Sequence, residues 1–194
     1  MIIYLHGFRS APASHKAQSL QRRMSALGLG EAFWCEQLPH VPSRAITLIE
    51  RAIVEARQRF PDTPPTLIGS SLGGYYATFL AERHTLRAVV VNPAVLAPLT
   101  LEPWTGRQTN LYTGEVFDFT PAHVAELRAL DVPRISDPAR YWLLAEKGDE
   151  VLDWRHAEAK YHGARQTILE GGDHGFSRWT EYLDEIIAFA RLTP

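Results

Sequence analysis

The sequence predicts an α/β fold: a mostly parallel sheet of about six strands with helices on both faces. Two observations carry this reading. Short, β-branched apolar runs alternate along the chain with amphipathic stretches of helical period, the pattern of a parallel sheet covered by helices. The residues able to do chemistry also cluster directly after those apolar runs, where the carboxyl ends of parallel strands open onto a ligand crevice.

Taken in order, Ile2 to Leu5 reads as a first buried strand. Ser14 is placed to cap a helix of about a dozen residues that stops at Gly28. A short strand follows around Phe33 to Cys35. From Ser43, apolar residues recur at Ala45, Ile49, Ala52, Ile53, Ala56 and Phe60, a helical stripe that ends at Pro61. A strand over 66–69 runs straight into a helix over about 72–84. Ala88 to Val91, Tyr141 to Ala145 and Gln166 to Leu169 supply the remaining strands. The last helix sets Trp179, Leu183, Ile186, Ile187 and Ala190 on one face. Residues 95–137 break the rhythm with four prolines and the aromatics Trp104, Tyr112, Phe117 and Phe119. About forty residues is too few for an independent core, so this stretch reads as a cap-like insertion within a single domain of 194 residues.

Composition narrows the function classes. Twenty Lys and Arg against 22 Asp and Glu give a formal charge of -2, with no basic run to attract nucleic acid. The single cysteine, Cys35, cannot form an internal disulfide and reads as a small buried hydrophobe. No signal peptide and no membrane-spanning run is visible, so a cytoplasmic monomer or small homo-oligomer is expected. No two histidines stand at His-x-x-x-His spacing, which argues against metal catalysis. No phosphate-binding glycine loop is present either.

The chemistry-bearing motif is Gly69-Ser70-Ser71-Leu72-Gly73 at the junction of the 66–69 strand and the helix after it. A Gly-x-Ser-x-Gly turn there forces the Ser71 hydroxyl to the tip of a sharp bend, ahead of a helix N-terminus. A serine hydroxyl is a poor nucleophile at neutral pH and needs an imidazole, itself oriented by a carboxylate. His174, in a glycine-flanked turn after the last strand, is the base candidate. Asp149, directly after the 141–145 strand, is the acid candidate. Asp153 is better explained as a helix cap, and Asp173 is adjacent to His174, where consecutive side chains rarely meet usefully. An oxyanion needs two aimed amides. The Leu72 N–H at the helix start and the Phe8 N–H in the His6-Gly7-Phe8 loop are the candidates, and Phe8 and Tyr75 are expected to flank the substrate.

With Leu-His-Gly-Phe, Gly-Ser-Ser-Leu-Gly-Gly, Lys-Gly-Asp-Glu-Val-Leu-Asp and Gly-Gly-Asp-His-Gly-Phe in this order, the chain resembles the α/β-hydrolase superfamily. More narrowly it is similar to the small bacterial YqiA-type esterases, from residue 2 to about 190. Ser10 to Lys16, Asn92-Pro93-Ala94 and Tyr112-Thr113-Gly114-Glu115 support that narrower likeness. The resemblance implies a compact sheet lacking the superfamily's first two strands, and hydrolysis of short-chain carboxylic esters without a cofactor. It also implies Ser71, Asp149 and His174 as nucleophile, acid and base. One glycine after His6, in place of the glycine-rich run of larger lipases, argues against bulky tertiary-alcohol esters. A thioesterase or amidase would use the same three residues, and a non-catalytic binding module is the alternative of another class.

Overall fold

The computed structural model describes residues 1–192. Six strands form one parallel sheet: β1 (Ile2–Leu5), β2 (Phe33–Trp34), β3 (Thr66–Ser70), β4 (Arg87–Val91), β7 (Tyr141–Glu146) and β8 (Arg165–Leu169). Their spatial order is β2-β1-β3-β4-β7-β8, and all five pairings are parallel. Between β4 and β7 lies a two-stranded antiparallel hairpin of β5 (Gly106–Thr109) and β6 (Val116–Phe119).

Successive side chains of a strand point to opposite faces, so a strand covered on both sides must be apolar at every position. Ile3, Leu5, Leu67, Val90 and Leu143 enter a core beneath α2 (Pro42–Arg59) and α3 (Leu72–His84). Ile2, Tyr4, Ile68, Val91 and Leu144 enter a second core beneath α1 (His15–Ala26) and α7 (Leu183–Phe189). Each fully buried Ile or Leu contributes about 1.5–3 kcal/mol, so this two-sided burial is a main source of the sheet's stability.

Several expectations need adjustment. Ser14 does precede α1, but its hydroxyl makes no capping hydrogen bond. The last helix opens as a 3₁₀ turn over Trp179–Tyr182 before α7, although all five expected apolar residues are buried. The 95–137 stretch holds α4 (Ala97–Leu101), the hairpin and α5 (Pro121–Ala129). Its Phe119, Val124 and Leu127 are buried in the same core as α2 and α3. The hairpin was invisible to pattern reading because Gly106-Arg107-Gln108-Thr109 carries no apolar alternation. Asn110 makes the turn, its carboxamide oxygen accepting from the Tyr112 and Thr113 amides.

Among the described residues, no helix is long and apolar enough to cross a membrane.

Candidate active site

β3 ends at Ser70 and α3 begins at Leu72, leaving Ser71 alone in the bend at φ 55°, ψ -120°. Such backbone costs a non-glycine residue roughly 1–3 kcal/mol and persists only where its surroundings enforce it. Here the Ser71 amide donates to the Val91 carbonyl at 3.0 Å, and the Ala94 amide donates to the Ser71 carbonyl at 3.0 Å. The flanking glycines are steric requirements. A Cβ at Gly69 would enter the Gly73 carbonyl, and one at Gly73 would enter the Leu5 carbonyl.

The turn after β8 carries His174, and the turn after β7 carries Asp149. His174 Nε2 lies 3.1 Å from Ser71 Oγ. His174 Nδ1 lies 3.0 and 2.9 Å from the two Asp149 carboxylate oxygens. An ionised carboxylate can only accept, so Nδ1 carries the proton and Nε2 presents a lone pair to the serine hydroxyl. The Asp149 side chain is 2% exposed and the His174 side chain 25%. Asp149 Oδ1 also accepts from the Val151 and Leu152 amides at 2.9 and 2.8 Å, which fixes the carboxylate's plane. Asp153 caps α6 (Trp154–Lys160) by accepting from the Arg155 amide, as its position suggested. Asp173 lines the same cavity as Ser71 and makes no hydrogen bond to His174 through its side chain.

The loop that carries the Phe8 candidate packs against the serine, and the Leu72 candidate follows it in the chain. Gly7 backs onto Ser71 closely enough that a Cβ there would sit 3.2 Å from Ser71 Cβ and 3.7 Å from its Oγ. Neither the Phe8 nor the Leu72 amide donates to any described residue. His6 holds this loop. Its Nδ1 donates to the Gly7 carbonyl at 3.0 Å while Nε2 accepts from the Leu38 amide at 3.0 Å, and burial holds its pKa below the usual imidazole value.

The cavity over Ser71 measures about 390 Å³ and is walled by Phe8, His15, Lys16, Leu111, Tyr112 and His174, among others. Lys16 Nζ donates to the Gly175 carbonyl at 2.6 Å. Burial draws its pKa down to about 8, against the opposing pull of Asp173, Asp149 and Glu146. Tyr75 is placed elsewhere. It is 4% exposed, its hydroxyl donates to the Leu127 carbonyl at 2.9 Å, and it faces α5 rather than the Ser71 cavity. One helical turn beyond the bend, its side chain points into the packing between helices, whereas Phe8 does line the cavity. Phe8 also packs edge-on against Phe117 and Phe119, at 5.9 and 5.0 Å between centroids. Those two aromatics are the packed underside of the hairpin, and Tyr112 is the insertion's aromatic at the cavity.

Pattern reading missed the supports. Glu146, wholly buried at the end of β7, accepts from the Asp173 and Ser177 amides at 3.0 and 2.8 Å. Burial pushes its pKa up, but those bonds and one from Arg178 outweigh burial and leave it below the usual carboxylate value. Glu150 accepts from the His174 amide at 3.0 Å. The signal for Glu146 was a lone acid ending an otherwise apolar strand.

Among the described residues, no cluster of three or more His, Cys, Asp or Glu side chains is arranged to hold a metal ion. Cys35 is half-buried against the α1/α7 core, and burial followed by the neighbouring Glu36 pushes its thiol up to about 12.

A parallel sheet in this order, with a serine at the strand–helix bend after β3 and later loops supplying acid and imidazole, is the architecture of the α/β-hydrolase class. The chain belongs to the family described as Uncharacterised protein family (UPF0227), whose model matches residues 1–191; this is the YqiA-like family its motifs resemble. Among solved structures it is similar to Est1E from Butyrivibrio proteoclasticus, with 15% identity, TM-score 0.69, and 98% of this chain and 87% of that one covered. It is also similar to mouse alpha/beta hydrolase domain-containing protein 10, with 17% identity, TM-score 0.68 and coverage of 96% and 89%. A monoacylglycerol lipase from Paleococcus ferrophilus matches at 16% identity and TM-score 0.65, with 97% and 93% covered.

Proposed function

We propose that the protein is a serine hydrolase that cleaves short-chain carboxylic esters through an acyl-enzyme. The observation that carries the reading is the continuous line from Asp149 through the His174 ring to Ser71 Oγ, with every gap between 2.9 and 3.1 Å. His174 Nε2 takes the hydroxyl proton as Oγ bonds to the ester carbonyl carbon, and Asp149 stabilises the imidazolium that forms. The Leu72 and Phe8 amides receive the oxyanion, each contributing about 3 kcal/mol of barrier lowering. Collapse of the tetrahedral adduct breaks the bond to the alcohol, which leaves with the His174 proton. Water, losing its proton to the same Nε2, then adds to the acyl carbon; the acyl–Oγ bond breaks, Ser71 Oγ takes that proton back from Nε2, and the acid departs.

Two further considerations support the reading. Some structurally similar proteins are described as lipases, though at identities where only the fold is shared. A cavity of about 390 Å³ lies at the small end of ligand sites, which suits short acyl groups. Nothing in this scheme calls for a cofactor.

The test is hydrolysis of a p-nitrophenyl ester series of increasing acyl length. Wild type should favour the short members, and Ser71→Ala should lose turnover while keeping its melting temperature. A Ser71→Ala variant with near-normal turnover would refute the assignment. Matched thiol esters and anilides run alongside separate an esterase from a thioesterase or amidase.

A further inference from the structure

We propose that Asn92 is a positioning residue that sets the spacing between Ser71 and His174; this rests on the serine-hydrolase reading above. Asn92 closes β4 in left-handed backbone, φ 40°, and is 3% exposed. Its side chain is fully engaged. Nδ2 donates to the Asp173 carbonyl at 3.0 Å and to the His174 carbonyl at 3.1 Å, while Oδ1 accepts from the Glu146 amide at 3.0 Å. Its own amide donates to the Leu144 carbonyl at 2.9 Å.

The residues on either side of Asn92 grip the serine. Val91 accepts from the Ser71 amide and Ala94 donates to the Ser71 carbonyl. The short segment from 91 to 94 thus holds the nucleophile by main chain and the base by one carboxamide. The bonds to the histidine turn end on the His174 peptide itself and on the one before it, not on a distant part of the loop. Glu146 holds the same turn from beneath, and Gly172 leaves room for that carboxylate, which a Cβ there would strike. Without the Asn92 carboxamide, the Glu146 and Glu150 contacts would still keep the turn folded, but the Asp173 and His174 carbonyls would lose their tie to the segment after β4 that grips Ser71. A buried amide using two donors and one acceptor in this way fixes both distance and direction.

Asn92→Gly is the direct test, because glycine accepts the left-handed backbone and removes only the side-chain bonds. The expected result is a kcat lowered at least tenfold with KM within about twofold and a modest fall in melting temperature. Asn92→Asp, nearly isosteric, sets a carboxylate against two carbonyls and should lose more kcat than the glycine variant. The far-downfield proton resonance of His174 Nδ1–H against Asp149 should broaden or shift in both variants, a readout independent of any ester. A folded Asn92→Gly with kcat within twofold of wild type and an unchanged resonance would overturn the proposal. So would failure of both variants to fold, since the bonds would then serve folding rather than placement. If Ser71→Ala keeps its turnover, the hydrolase reading fails instead, and the resonance still reports on what Asn92 does to His174.

Discussion

Replacing Asp149 by asparagine isolates one proton's position. Oδ1 of Asp149 accepts from both the Val151 and the Leu152 amides, and those donors will hold the oxygen of an asparagine in the same place. Its NH2 group must then face His174 Nδ1, where a carboxylate oxygen now lies 2.9 Å away. The asparagine keeps its oxygen 3.0 Å from Nδ1 but sets a donor against it at 2.9 Å, which biases the ring toward carrying its proton on Nε2. The proton would then point at Ser71 Oγ across 3.1 Å, and the base would have no lone pair to offer. Loss of the correct tautomer and of imidazolium stabilisation together lowers kcat about 10³- to 10⁴-fold, or about 4–5.5 kcal/mol of barrier. Because both loop amides keep their acceptor, the melting temperature should change by only a few degrees. Initial rates on p-nitrophenyl acetate, with melts on the same samples, make the measurement. A folded Asp149→Asn variant within tenfold of wild type would show that the carboxylate is not orienting the base.

Gly73→Ala should destabilise the fold by about 2–3 kcal/mol in urea titrations, because its Cβ meets the Leu5 carbonyl, which belongs to the sheet. Gly28→Ala, with nothing near its Cβ but a φ of 74°, should cost only about 1–2 kcal/mol. Burial holds the folded-state pKa of His6 below the free value of 6.5. The unfolded chain therefore takes up a proton below that pH that the folded chain refuses, and stability should fall as pH drops from about 6.5, more steeply than in His6→Gln. Lys16 is lowered to about 8 in the fold, so the same linkage makes its contribution grow as pH rises from about 8 toward its free value of 10.5; Lys16→Met should lack that rise. With its thiol pushed up to about 12, Cys35 is thiolate in about one molecule in ten thousand at pH 8. It should react slowly with disulfide reagents and, once alkylated, leave ester hydrolysis unchanged.

The parallel core was legible because strands buried on both faces need apolar side chains at consecutive positions, and Ile2–Leu5 and Arg87–Val91 nearly spell that out. The serine bend was legible for a steric reason: only glycine fits at 69 and 73, so the motif records the close approach of helix and strand. His174 and Asp149 stood out by their places after strands. Tyr75 did not follow its proximity in sequence, because helical rotation turned it toward α5. Glu146 escaped because half of its carboxylate's hydrogen bonds come from backbone amides of residues 173–178, which leave no mark on a sequence, and the Ser177 hydroxyl and Arg178 guanidinium reach it only through the fold. The same holds for β5, which pairs with β6 through main chain while exposing polar side chains.

The hairpin is tied to the loop that bears Phe8. Arg9 Nε donates to the Thr109 carbonyl, the Leu111 amide donates to the Arg9 carbonyl, and Asn110 reaches the Ser10 carbonyl, all within 2.8–2.9 Å. Lifting this roof to admit a larger guest would therefore tug on the segment that carries Phe8, whose amide is one of the two proposed oxyanion donors. On the proposed esterase reading, width of entry and placement of that amide are mechanically linked, and an oversized ester is expected to turn over sluggishly even after it has been let in.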